Sequence, residues 1–290
     1  MVEKFDNLIS RAESLLARLE GLLPPAASEP DWSAVAWRWQ QHYGRGHLIT
    51  VPHPHRISLA DLHNIDDQKA EIVRNTRQFL QNLPANNVLL TGARGTGKSS
   101  LVKALLSDFA KEGLRLVEVE KQDLVALPEI VALIRNRPEH FIVLCDDLSF
   151  ETGEPGYKAL KVVLDGSVAA TSDNELVYAT SNRRHLMPEY MSENLETQHL
   201  GEEIRPGDTT EEKISLSERF GLWLSFYAFD QDEYLKVAQQ WLQHYGIKKM
   251  TDEVRRAALQ FSLTRGSRSG RIAYQFARDY SGRSALSSKR

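Results

Sequence analysis

The stretch Gly92-Ala93-Arg94-Gly95-Thr96-Gly97-Lys98-Ser99-Ser100 constrains this chain more than any other. It fits the spacing G-x-x-x-x-G-K-S at Gly92, Gly97, Lys98 and Ser99. An apolar run, Val88-Leu89-Leu90, precedes it, and residues 98–111 follow with helical periodicity. Glycines at these positions let the backbone fold tightly, so that successive N–H groups point at phosphate oxygens. A helix starting at the loop turns its positive end to the same place. In that arrangement residues 92–100 cradle a nucleoside triphosphate, Lys98 neutralises its outer phosphates and Ser99 ligates Mg²⁺. A strand, loop and helix of this kind belong in an α/β sheet, so the fold class is expected to be α/β.

The rest of the chain agrees. Residues 87–91, 114–120, 141–145, 176–180 and 221–229 read as strands, and residues 98–111, 128–136 and 157–170 as helices between them. That alternation predicts an αβα sandwich of the P-loop NTPase kind, with a five-stranded parallel sheet. A helix is predicted over 66–80. After Asp230 the pattern changes to three helices, 231–245, 251–263 and 267–280, which predict a small C-terminal helical domain. Upstream, residues 3–23 read as an amphipathic helix ended by Gly21 and the Pro24-Pro25 pair, and residues 26–30 as a linker. Trp32, Trp37 and Trp39 are read as a short helix packing on the main domain. The expected division is an N-terminal helical extension (1–60), a nucleotide-binding αβα domain (61–230) and a helical lid domain (231–290).

The second chemical signal is Phe141-Ile142-Val143-Leu144-Cys145-Asp146-Asp147. A buried strand that ends in a carboxylate delivers it to the C-terminal edge of the sheet, beside the phosphate loop. Asp146 is placed to hold Mg²⁺, and Asp147 to orient or deprotonate an attacking water.

With these motifs in hand, the sequence resembles the AAA+ ATPases from about Leu62 to Arg278. Tyr-Ala-Thr-Ser-Asn-Arg-Arg-His-Leu (178–186) and Leu-Ser-Glu-Arg-Phe-Gly-Leu (216–222) look closest to a bacterial AAA+ branch catalogued only as a domain of unknown function. The resemblance implies a polar sensor at Asn182, after the strand that follows the Mg²⁺ strand. It implies an arginine finger at Arg219, in Arg219-Phe220-Gly221, that reaches the γ-phosphate held by a neighbouring subunit. It implies a second sensor arginine at the start of the last helix, where Arg271 fits best and Arg268 is second. Ile65 and Asp66 fall in the stretch that packs near adenine in that family. One departure is Asp147, where such hydrolases more often carry Glu. Asp is a methylene shorter, and Glu151 is close enough in sequence to assist.

Composition narrows the rest. A net charge of −3 argues against a generic polyanion binder. Residues 189–212 hold eight acids and one base, and residues 248–290 hold eleven bases and three acids. These are read first as solvated faces or head-to-tail contacts between subunits, and second as a nucleic-acid surface at the basic end. The single cysteine, Cys145, excludes an intramolecular disulfide and suits the cytoplasm. No signal peptide or membrane span is expected. His53 and His55 sit in a Pro-rich connector without a nearby carboxylate or thiol, which disfavours a metal site.

The expected function is ATP hydrolysis with Mg²⁺ by a nucleotide-dependent homo-oligomer, a hexamer being one such form, coupled to remodelling of an unknown protein or nucleic-acid client. The alternatives are a nucleotide-controlled binding module with slow or no hydrolysis, and a P-loop small-molecule kinase.

Overall fold

The computed structural model describes residues 11–14, 29–42, 45–150, 154–166, 173–183, 186, 198–200, 203–205 and 216–287. Most of the helix read over 3–23, Glu151, and most of the acidic stretch 189–212 lie outside the described residues.

In chain order the elements begin with β1 (Ala36–His42), β2 (Arg45–Thr50) and α1 (Asp66–Leu80). Strands and helices then alternate: β3 (Val88–Gly92), α2 (Lys98–Phe109), β4 (Leu114–Val119), α3 (Leu127–Ile134), β5 (His140–Cys145), α4 (Pro155–Asp165) and β6 (Glu175–Ser181). A small antiparallel pair, β7 (Gln198–Leu200) and β8 (Glu203–Arg205), precedes β9 (Leu222–Phe226). Three helices follow, α5 (Gln231–His244), α6 (Asp252–Arg265) and α7 (Gly270–Ser287).

The main sheet has seven strands in the order β2-β1-β4-β5-β6-β3-β9, parallel throughout except for the β1–β2 pair. Its middle is the predicted parallel sheet, and the two extra strands correct the expected number of five. The reason lies in Trp37 and Trp39. Two residues apart, they project from the same face of β1 and are 1% and 0% exposed, while Arg38 and Gln40 face out. That is a strand's period of two, which a reading at helical spacing misses. Both indoles pack in the core with Phe141, and Arg38 ties β1 to β4 through a 2.9 Å ion pair with Glu118. The segment the sequence reading placed in a helical extension thus widens the sheet.

Helices cover both sheet faces. One apolar core gathers Val117, Phe141, Val143 and Val177 with α3 and α4, and the other gathers Val88, Leu90, Ile142 and Tyr178 with α1 and α2. Parallel strands buried on both faces read as continuous apolar runs, as β3 and β5 do. A third core lies among α5, α6 and α7, around Tyr234, Ala238, Leu242, Ala258 and Phe276. Asp230 starts that module with a capping box to Glu233, and Thr251 caps α6. Among the described residues no helix is long and apolar enough to cross a membrane.

Candidate active site

β5, β6 and β3 are neighbours in the sheet, so their C-terminal ends open at one edge. From β3 comes the loop 92–97. Gly92 has a φ of +127°, and a Cβ there would lie 1.8 Å from the Phe226 carbonyl oxygen, so only glycine permits β9 to approach this closely. Gly95, at a φ of +77°, leaves room for Ser269 at the start of α7, whose Oγ would be 2.7 Å from a Cβ. Thr96 Oγ1 donates back to the Ala93 carbonyl at 2.8 Å, and the Arg271 backbone N–H donates to the Gly95 carbonyl at 3.2 Å. The loop is therefore braced from within and by the helical module.

Lys98, at the first turn of α2, is 6% exposed. Its ammonium donates to the carbonyls of Gly92 at 2.7 Å and Ala93 at 2.8 Å, and to Asn182 Oδ1 at 3.1 Å. Burial lowers its pKa to about 8, opposed by the charges of Asp147 and Asp146 and assisted by those of Arg271 and Arg94. Ser99 Oγ donates to Asp146 Oδ1 at 2.5 Å, and Thr180 Oγ1 donates to the same oxygen at 2.6 Å. A carboxylate with two hydroxyls is an all-oxygen donor set of the kind Mg²⁺ takes. No three His, Cys, Asp or Glu residues come together among the described residues, so this set fits a cation shared with phosphate rather than a closed protein cage.

Past Asp146 the chain turns sharply. Asp147 adopts a φ of +54°, tolerable for Asp but uncommon. Thr180 holds the turn: its hydroxyl accepts from the Asp147 N–H at 3.0 Å and its carbonyl from the Leu148 N–H at 2.7 Å. The turn brings the Asp147 carboxylate to Asn182, whose Nδ2 donates to it. One amide thus bridges Asp147 and Lys98. Cys145, just before the acid pair, is fully buried, and burial raises its thiol to about 12, so it stays protonated.

These groups line a cleft of about 890 Å³ together with Ser100, Arg94 and Arg271, a volume within the range of small-molecule sites. Gly92 and Ala93 are not among the cleft residues, and their carbonyls hold the Lys98 ammonium. Ile65 lines the cleft beside Gly97, whereas Asp66 lies outside, its side chain paired with Lys69 at 3.1 Å. Arg219 is not among the cleft residues. It follows the helical residues 216–218, and its Nε donates to Asp165 Oδ1 at 2.5 Å. Arg268 is likewise absent from the cleft, while Arg271 lines it.

The sequence reading missed two parts of the cleft. Thr180 is one, and its signal is positional: it lies two residues before Asn182 on the strand beside β5. The other is an aromatic wall, where Trp241 near the end of α5 and Tyr245 just past it meet Tyr274 of α7 and His244 lies between them in sequence; His55, Arg56 and His63 also line the cleft. Trp241, His244 and Tyr245 recur at three- and four-residue spacing, which marks one helix face but not what that face does.

A family model described as "Protein of unknown function (DUF815)" matches residues 32–284. No curated protein matched the chain. Among solved structures, one mutant of RuvB from Thermotoga maritima is 14% identical with a TM-score of 0.49, covering 76% of this chain and 63% of that one. A second mutant of the same protein is 14% identical with a TM-score of 0.47, covering 74% and 60%. The matched region thus spans less than two thirds of the length of those structures.

Proposed function

The chain belongs to the DUF815 family, and from the geometry of its cleft we propose that it is an AAA+-type ATPase that hydrolyses ATP with Mg²⁺. The observation that carries this reading is the chain of contacts from Lys98 through Asn182 to Asp147, with Ser99 and Asp146 alongside. Residues 92–100 and Lys98 bind the phosphates. Ser99 and Asp146 would hold Mg²⁺, which neutralises phosphate charge when bound. Asn182 and Asp147 hold the attacking water. Its oxygen bonds to the γ-phosphorus, the bond to the leaving ADP oxygen breaks, and the proton passes to Asp147 and on to solvent, giving ADP and phosphate. Arg271 reaches the phosphates from the helical module. The base lies toward Ile65, His63 and the aromatic wall.

Arg219 stands outside its own cleft, which supports a role in a neighbour's. In this reading the protein acts as a homo-oligomer, and residues 231–290 form a lid that follows the nucleotide. The test is Mg²⁺-dependent phosphate release against protein concentration, with Arg219→Ala alongside. Specific activity is expected to rise with concentration and to be lost in the variant. Normal hydrolysis by Arg219→Ala would remove the finger, and absence of ATP binding would remove the reading altogether. A second reading, a nucleotide-controlled binding module, draws support from the short Asp147 already engaged by Asn182. Tight ATP binding with negligible turnover at every concentration would select it.

A further inference from the structure

Arg94 stands at the apex of the phosphate loop, and none of the roles assigned above uses its side chain. The backbone on either side is held: Ala93 accepts from Thr96, and Gly95 accepts from the Arg271 N–H and packs against Ser269. The movable part is the guanidinium, on a side chain 78% exposed, and it faces the cleft. Its Nη2 lies 3.9 Å from Asp147 Oδ2. Asp147 in turn accepts from Asn182, and Asn182 from Lys98. The guanidinium therefore ends a relay that starts at the ammonium expected to meet the outer phosphates. It is also close enough for its charge to help lower the pKa of Lys98.

An exposed ion pair at this separation is weak and easily exchanged. A terminal phosphate offers more charge and a set of oxygens that a planar guanidinium can grip with two N–H groups. We propose that Arg94 senses the γ-phosphate from within the same chain: it pairs with Asp147 and transfers to the γ-phosphate when a triphosphate binds, freeing Asp147 for the attacking water. The inference rests on the ATP reading. The change is one of ion-pair partner, and no covalent bond is made or broken. A diphosphate lacks the group that draws Arg94 away, so the side chain separates ATP from ADP.

The experiment is calorimetric titration of the full chain with Mg²⁺ and either ADP or the β,γ-imido analogue of ATP, which is not hydrolysed. Arg94→Ala is expected to weaken the analogue about tenfold and ADP by less than about twofold, with Arg94→Lys in between. In an Asp147→Asn background the loss on Arg94→Ala is expected to grow about threefold, because the pair with Asp147 no longer competes. Equal losses for both ligands, or none, would overturn contact with the γ-phosphate. The same loss in both backgrounds would overturn the exchange with Asp147. Should Arg94→Ala fail to fold, Arg94→Lys carries the comparison. Wild type that binds neither ligand sinks the ATP reading and this inference with it. Wild type that binds both, with the Arg94 variants unchanged, sinks only the role of Arg94.

Discussion

The two walls of the cleft are made of different material. The phosphate wall is strand ends and loops, and its side chains hold one another: Lys98 has three acceptors, Asp146 two hydroxyl donors, and Asp147 both a donor amide and an ion-pair partner. The opposite wall is helix faces. Trp241 meets Tyr274 at 4.9 Å and His244 at 5.6 Å between ring centroids, and His244 meets Tyr245 at 5.2 Å, all edge to face. The first wall works by charge placed at fixed points. The second works by area and ring contact, which tolerate exchange among aromatic residues. On the proposed function such a site would read its ligand twice, and the two readings should fail in different ways.

Substitutions can sharpen or break that contrast. Asp147→Asn should lower turnover about 10³-fold while ADP affinity is kept and triphosphate affinity rises about threefold, measured as Mg²⁺-dependent phosphate release beside a binding titration. Lys98→Ala should weaken ATP roughly 100-fold and ADP less, because on the proposed function the lysine serves the outer phosphates. Tyr274→Ala should weaken ATP and ADP alike, by about tenfold, since both carry the same base. A Tyr274 variant that lost ATP selectively would dissolve the distinction between the walls.

The smallest expected effect is on pH. Lys98 has a folded pKa of about 8, below its ordinary value, so it loses that proton as pH rises through 8. Phosphate binding needs the ammonium, and ATP affinity should therefore fall about fourfold between pH 7 and 8.5. Lys98→Arg should flatten this slope and Tyr274→Ala should not.

The same contrast explains what could be read from the sequence. The phosphate wall was legible because its chemistry demands one residue type at one spacing. Gly92, Gly97, Lys98, Ser99 and the pair after β5 announce themselves, and the bounds of α1 were set by its apolar period. Thr180 was silent because a hydroxyl that braces a turn looks like any strand threonine. The aromatic wall was silent because Trp241 and Tyr274 come from helices that only tertiary packing brings together. β1 was misread because Trp37 and Trp39 were grouped with Trp32 at helical spacing, whereas their own period of two belongs to a strand, and its partners β2 and β4 are supplied by the sheet.

The N–H of Arg271 is bonded to the carbonyl of Gly95, and α7 begins there. The helical module thus bears directly on the loop to which the proposed function assigns the phosphates. Helix α7 has eighteen residues and is about 27 Å long, so a tilt of ~10° at the loop carries its far end through about 5 Å. On the proposed function, a shift too small to notice at a bound nucleotide would become, at the other end of this lever, a stroke of a size that another molecule can feel.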